Sequence, residues 1–312
     1  MSARPLLIAA AVLVATRLGA PAAIGADVGA PGSQVPSMPS PAAEKPKKSA
    51  AAAVKMVVEP QAMELLKAAS DRLAAAQSMK FTAVVSYEHP SQLGPPLVYT
   101  LRYDVTMQRP NKLRVILPGD GPASEFYDDG KTMMAFAPTE NLTATAEAPP
   151  TIDDALKQAY NTAAIYFPFS DLVLADPYAA LTEGVILAFH IGPSDVVGGV
   201  KTEMVAWANK DVFIQAWIGT DDKLPRRIRA MYAADPLALR HDMELSDWQL
   251  DPQVPEDAFT SREARDGRPI TFAHPFAAAP AEVKPIFTKS SPKNAAKNPA
   301  HGSDPKATPR SQ

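Results

Sequence analysis

The 312-residue chain carries a formal net charge of −3, a pI near 6.0 and no cysteine. That balance excludes bulk nucleic-acid binding, which needs a basic face. The lack of thiols excludes disulfides, a cysteine nucleophile and a lipid-bearing cysteine.

The chain opens with Arg4 and a short apolar run, Leu6 to Ala15, followed by small residues that permit cleavage after Ala22 or Ala26. The run is too short to span a bilayer, so residues 1–26 read as a cleavable signal peptide that leaves no transmembrane span. Residues 27–58 are rich in Pro, Ala, Ser and Gly, and residues 276–312 form a basic tail with Lys284, Lys289, Lys293, Lys297, Lys306 and Arg310. Both lack the apolar side chains needed to offset chain entropy and are expected to be disordered. The charge of the tail suits anionic lipid or peptidoglycan as well as plain solvation.

Residues 59–275 are expected to form one domain. Glu59-Pro60 opens a helix in which Ala62, Leu65, Leu66, Ala69, Leu73 and Ala76 recur at three and four, a single stripe fit to lie on a sheet. Strand patterns follow at 81–88, 99–108, 113–117, 124–127, 132–136 and 142–146. Pro110 cannot donate to a ladder, and Asp129-Gly130 supplies the positive φ of a tight hairpin. Thr151 caps a second predicted helix, with Asp154 in the capping-box position, and Ser170 and Asp176-Pro177 precede two further short helices. Strands resume at 185–191, 200–208, 213–218, 226–233 and 241–250, joined by Gly198-Gly199, Asn209-Lys210-Asp211, Asp221-Asp222-Lys223 and Asp235-Pro236. Connections this short make sequential strands antiparallel neighbours. The expected fold is α+β: one large, curled antiparallel sheet, an open half-barrel, with helices covering its concave face.

Arg109 continues the alternation of Leu101, Tyr103, Val105 and Met107, which puts a guanidinium on a face that such a sheet buries. A buried charge needs a partner. Asp153, Asp154, Asp171, Asp176 and carbonyls at helix ends are the candidates. Three readings stay open: a rim arginine whose head reaches water, a latch on the helices, or a contact with a ligand head group. The apolar set Tyr103, Val105, Met107, Met133, Phe136 and Trp217, with Phe213 and Met231, reads as plain core or as an adaptable apolar pocket. Arg227 and Arg229 share the opposite face of their strand from Ile228, as a solvated face or an acidic partner's dock.

Enzyme chemistry finds little support. The histidines His89, His190, His241, His274 and His301 are isolated, and no metal-binding spacing, nucleophile elbow or phosphate loop occurs. The acid pairs Asp128-Asp129 and Asp221-Asp222 fall in turns, where Asp is favoured for backbone reasons. No cofactor, metal or catalytic residue is expected.

The runs Arg109-Pro110-Asn111-Lys112-Leu113 and Asp128-Asp129-Gly130-Lys131-Thr132, the strand holding Phe136, and residues 141–146 resemble the corresponding stretch of the LolA family of periplasmic lipoprotein carriers. Over roughly residues 60 to 260 the chain resembles a family of predicted periplasmic proteins of unknown activity grouped with LolA, LolB and LppX. Asp176-Pro177-Tyr178, Trp217-Ile218, Leu224-Pro225-Arg226 and Asp247-Trp248 carry that longer match. The resemblance implies a periplasmic location and a lipid or lipoprotein acyl chain as ligand; with the pocket reading of the apolar set, the residues expected to hold it are Arg109, Tyr103, Val105, Met107, Met133, Phe136 and Trp217. It also implies that Arg109 bonds lid segments. An envelope protein is the other implied partner, and the chain is expected to be monomeric. The alternative function is an envelope interaction or sensor module with a packed core and no ligand. The resemblance departs at Ala258-Phe259-Thr260, where relatives carry a Phe-x-Phe-x-Pro-Pro strand, so the last strand is expected to be altered.

Overall fold

A computed structural model describes residues 56–92, 94–119 and 121–274. The expected signal peptide, residues 27–55 of the expected linker and the tail 276–312 lie outside the described residues.

Helix α1 (Pro60–Ala75) starts with proline at its first turn and buries Ala62, Leu66, Ala69 and Leu73 along one stripe. A meander follows: β1 (Ser78–His89), β2 (Leu97–Gln108), β3 (Lys112–Leu117), β4 (Ser124–Asp128), β5 (Thr132–Ala137) and β6 (Leu142–Glu147). Next come α2 (Ile152–Ala163), α3 (Ser170–Val173) and α4 (Pro177–Thr182). Thr151 caps α2 as expected, its hydroxyl accepting from the Asp154 N–H at 3.1 Å, but the Asp154 carboxylate accepts from that hydroxyl at 2.9 Å rather than from the Thr151 N–H. The Asp176 carboxylate accepts from the Ala179 N–H at 2.9 Å. Ser170, by contrast, is the first residue of α3 rather than its cap.

The second meander is β7 (Leu187–Ser194), β8 (Thr202–Ala208), β9 (Val212–Gly219), β10 (Pro225–Tyr232) and β11 (Arg240–Leu250). With a short last strand, β12 (Arg268–Ile270), the strands of the described residues form one 12-stranded sheet in the order β12-β6-β5-β4-β3-β2-β1-β11-β10-β9-β8-β7. Each meander has short connections and pairs with itself, and the two meet where β1 lies between β2 and β11. The end strands β12 and β7 do not pair with each other, so the half-barrel stays open.

The chain end departs from an all-antiparallel sheet. Phe259 is fully buried in a 3₁₀ turn at Glu256–Phe259, and α5 (Arg262–Asp266) then leads into β12 (Arg268–Ile270), which pairs parallel with β6. A parallel pair requires a crossover, which here runs through α2 to α4 and the whole second meander; its last element, α5, lies on the outer face, where Ala264 packs against Tyr127, Met134 and Phe136.

Helices α1 to α4 cover the inner face. The α1 stripe, with Trp207, Ala216 and Ile218, makes one cluster on the second meander. The larger cluster joins Met79, Phe81, Tyr103, Val105, Met107, Leu113 and Met133 to Ile152, Phe167, Phe169, Leu172 and Val173 of the helical segment. A bulge in β11 opposite Lys80 and Thr82 holds Asp247 at φ 56° and turns Trp248 inward, where it stacks on Phe81 at 4.5 Å.

Candidate functional site: a latched lid over an apolar sheet

Arg109 directly follows the last residue of β2, and its peptide N–H donates to the Gln77 carbonyl at 2.8 Å, which fixes the corner. Its side chain, half-buried, faces the helices and donates to three carbonyls: Ala76 at 3.1 Å, Val173 at 3.3 Å and Leu174 at 2.9 Å. Ala76 ends α1, while Val173 and Leu174 end α3, so one guanidinium ties together two helix ends whose carbonyls have no partner inside their own helices. Of the readings open from sequence, this is the latch on helix-end carbonyls. None of the candidate carboxylates bonds it. Asp153 instead accepts from the Ala175 N–H at 3.0 Å, bracing the same turn, while its charge favours the guanidinium that burial disfavours.

The inner face beneath this latch is filled. Phe167 and Phe169 stack at 5.5 Å; Phe169 meets Phe81 and Tyr103 edge-on at 5.5 and 5.7 Å, and Phe167 meets Phe126 at 5.4 Å. The two rings form a plug, carried by the connection between α2 and α3. The apolar void beside it, between α1, α3, α4 and the sheet, measures about 20 Å³ and holds the unpartnered Ser70 hydroxyl. That is room for about one water.

Tyr103, Val105, Met107 and Met133 lie together under the helices in one buried cluster. Phe136 and Trp217 do not. Phe136 is on the outer face under α5, because it stands an odd number of residues from Met133 on one strand. Trp217 alternates with the inward Ala216 and Ile218, and its ring lies 5.5 Å from the Arg227 guanidinium on the outer face. Phe213 and Met231 pair with each other on that same face. There Arg227 is bonded to Asp242 at 3.0 Å rather than free for an acidic partner.

Asp128 adds a feature that its place beside a turn conceals. It pairs with Leu113 and Met133 and shares their inward face, fully buried. One oxygen accepts from the Gly130 N–H at 2.9 Å and the other has no partner. Burial drives its carboxyl up to about 7, against the Gly130 bond, which lowers it. Among the described residues no cluster of His, Asp or Glu could hold a metal ion.

The described residues thus form an apolar inner sheet face roofed by helices, two of whose ends are tied by Arg109. The chain belongs to a family described as predicted periplasmic protein (DUF2092), which matches residues 62–273. No curated protein matches it. Among solved structures it is similar to the lipoprotein LppX of Mycobacterium tuberculosis, at 13% identity over 64% of this chain and 100% of that one, TM-score 0.41. It is also similar to LprF of Mycobacterium bovis, at 18% identity over 63% and 97% of the two chains, TM-score 0.40. A LolA-superfamily protein of Nitrosomonas europaea matches at 13% identity over 64% and 97%, TM-score 0.30.

Proposed function

We propose that the protein is a non-enzymatic periplasmic carrier that binds one lipid or acyl chain on its inner sheet face, exchanging it for its own lid aromatics. The observation that carries this reading is the lid itself: a connection whose phenylalanines fill the sheet and whose far end is tied by Arg109 through carbonyls alone. Tyr103, Val105, Met107 and Met133 would line the chain. A pocket for such a ligand needs ~300–1,000 Å³, so uptake requires the plug to leave. Burying the two Phe rings is worth roughly 3–6 kcal/mol and each methylene of an entering chain about 0.8 kcal/mol, so about four to eight buried methylenes offset the loss of the plug.

Extraction and mass spectrometry of the mature protein purified from its own periplasm should find a bound lipid. Arg109→Leu frees three carbonyls, which should lower stability by roughly 2–4 kcal/mol and speed exchange of a fluorescent fatty acid. Extracts with no lipid and an exchange rate unchanged by the substitution would contradict the proposal. The filled inner face favours a second reading, an envelope interaction module with a permanently packed core, in which Arg109→Leu lowers stability and no fatty acid enters.

A further inference from the structure

The end of the inner face away from Arg109 carries an aromatic mouth. Tyr87 of β1 stacks between Tyr99 of β2 at 5.7 Å and His241 of β11 at 6.4 Å, and Tyr232 of β10 meets His241 edge-on at 5.2 Å. Tyr87 shares the parity of Val85, and His241 that of Met243, so these rings continue the buried inner face past the lid. From the lid, Tyr166 and Asp171 flank the plug, and the Asp171 charge acts on the Tyr166 and Tyr232 phenols.

These groups are accessible yet crowded by protein. Tyr166 is 38% exposed and Asp171 is exposed, while the surrounding mass raises the proton affinity of both. Among the described residues, Asp171 and the hydroxyls of Tyr87, Tyr99, Tyr166 and Tyr232 have no hydrogen-bond or ion-pair partner. The charges acting on Tyr166, Tyr232 and His241 are acidic or phenolic throughout, and burial lowers the proton affinity of His241. Aromatic π-faces near an unpartnered acidic side chain attract a weakly hydrated cation.

We propose that this mouth binds an organic ammonium group, its charge on the tyrosine faces and against Asp171. The inference builds on the apolar-ligand reading, since the ammonium would head a chain lying on the inner face; a free small amine carries the same chemistry. The test titrates dodecyltrimethylammonium, dodecyl maltoside and choline chloride separately into the mature protein, below micelle-forming concentrations, by calorimetry. Dodecyltrimethylammonium should bind about tenfold tighter than the maltoside. Asp171→Asn should erase that preference while the maltoside still binds as it does to the parent, and Tyr232→Leu should weaken it.

Equal affinity for the two detergents overturns the ammonium site and leaves the apolar-chain reading standing, as does a preference that survives both substitutions. Choline bound as tightly as the dodecyl compound, with no maltoside binding, supports the ammonium site for a free amine and removes the apolar chain. No binding of any probe overturns both.

Discussion

Phe169→Ala should lower the stability of the protein by about 3–5 kcal/mol and, at the same time, tighten its binding of a fluorescent fatty acid. The ring is fully buried against Phe81, Tyr103 and Phe167, so its removal forfeits dispersion contacts on every side. In an ordinary core that loss is the whole effect. Under the proposed carrier function the same ring is the occupant that an acyl chain must displace, and removing it lowers the barrier and the cost of entry together. Chemical denaturation followed by probe titration separates the two consequences. A variant that is destabilised yet takes up no more fatty acid than the parent would point to a permanently packed core.

Asp128→Asn should stabilise the protein at pH 8 by a few kcal/mol and flatten its pH dependence. The sign follows from proton affinity. Burial raises the folded carboxyl to about 7 from an ordinary 3.8, so the folded state holds this proton more tightly than the unfolded chain does. Its contribution is complete below pH 4, falls as pH rises toward 7, and levels off above that value. The difference in proton affinity corresponds to about 4 kcal/mol. Asparagine keeps the bond from the Gly130 N–H and cannot ionise, so it behaves as the protonated acid at every pH. Denaturant titrations should find the variant ahead of the parent by about 2 kcal/mol at pH 5 and by about 4 kcal/mol at pH 8. A variant less stable than the parent at pH 8 would show that the buried oxygen is better satisfied as a carboxylate.

Much of this architecture was legible because strands and turns announce themselves locally. Asp129-Gly130 and the proline at 110 fixed the corners of the first meander, and the three-and-four spacing of Leu66, Ala69 and Leu73 fixed the face of α1. The errors share one cause, the neglect of strand parity across a set chosen by residue type. Met133 and Phe136 stand three apart on β5 and must face opposite ways, and Trp217 alternates with Ile218. The same parity, applied to Phe126 and Asp128 on β4, would have placed the acid in the core. Which partner Arg109 chose was not legible. Carboxylates and helix-end carbonyls both accept from a guanidinium, and only the tertiary course of α3 brought Val173 and Leu174 within reach. The plug was hidden for a like reason: Phe167 and Phe169 sit in a connection without helical or strand periodicity, and nothing local says which surface they fill.

The central claim is that the lid moves when an acyl chain binds. Cysteine is absent from the sequence, so spin labels at Lys157→Cys on α2 and Glu244→Cys on β11, both exposed, would be the only ones present. Their separation can be measured by double electron–electron resonance with and without saturating fatty acid. A second, longer separation that grows with fatty acid, and dominates once Arg109→Leu is added, is the predicted result. A single separation unchanged by a bound fatty acid, or no binding at all, would contradict it.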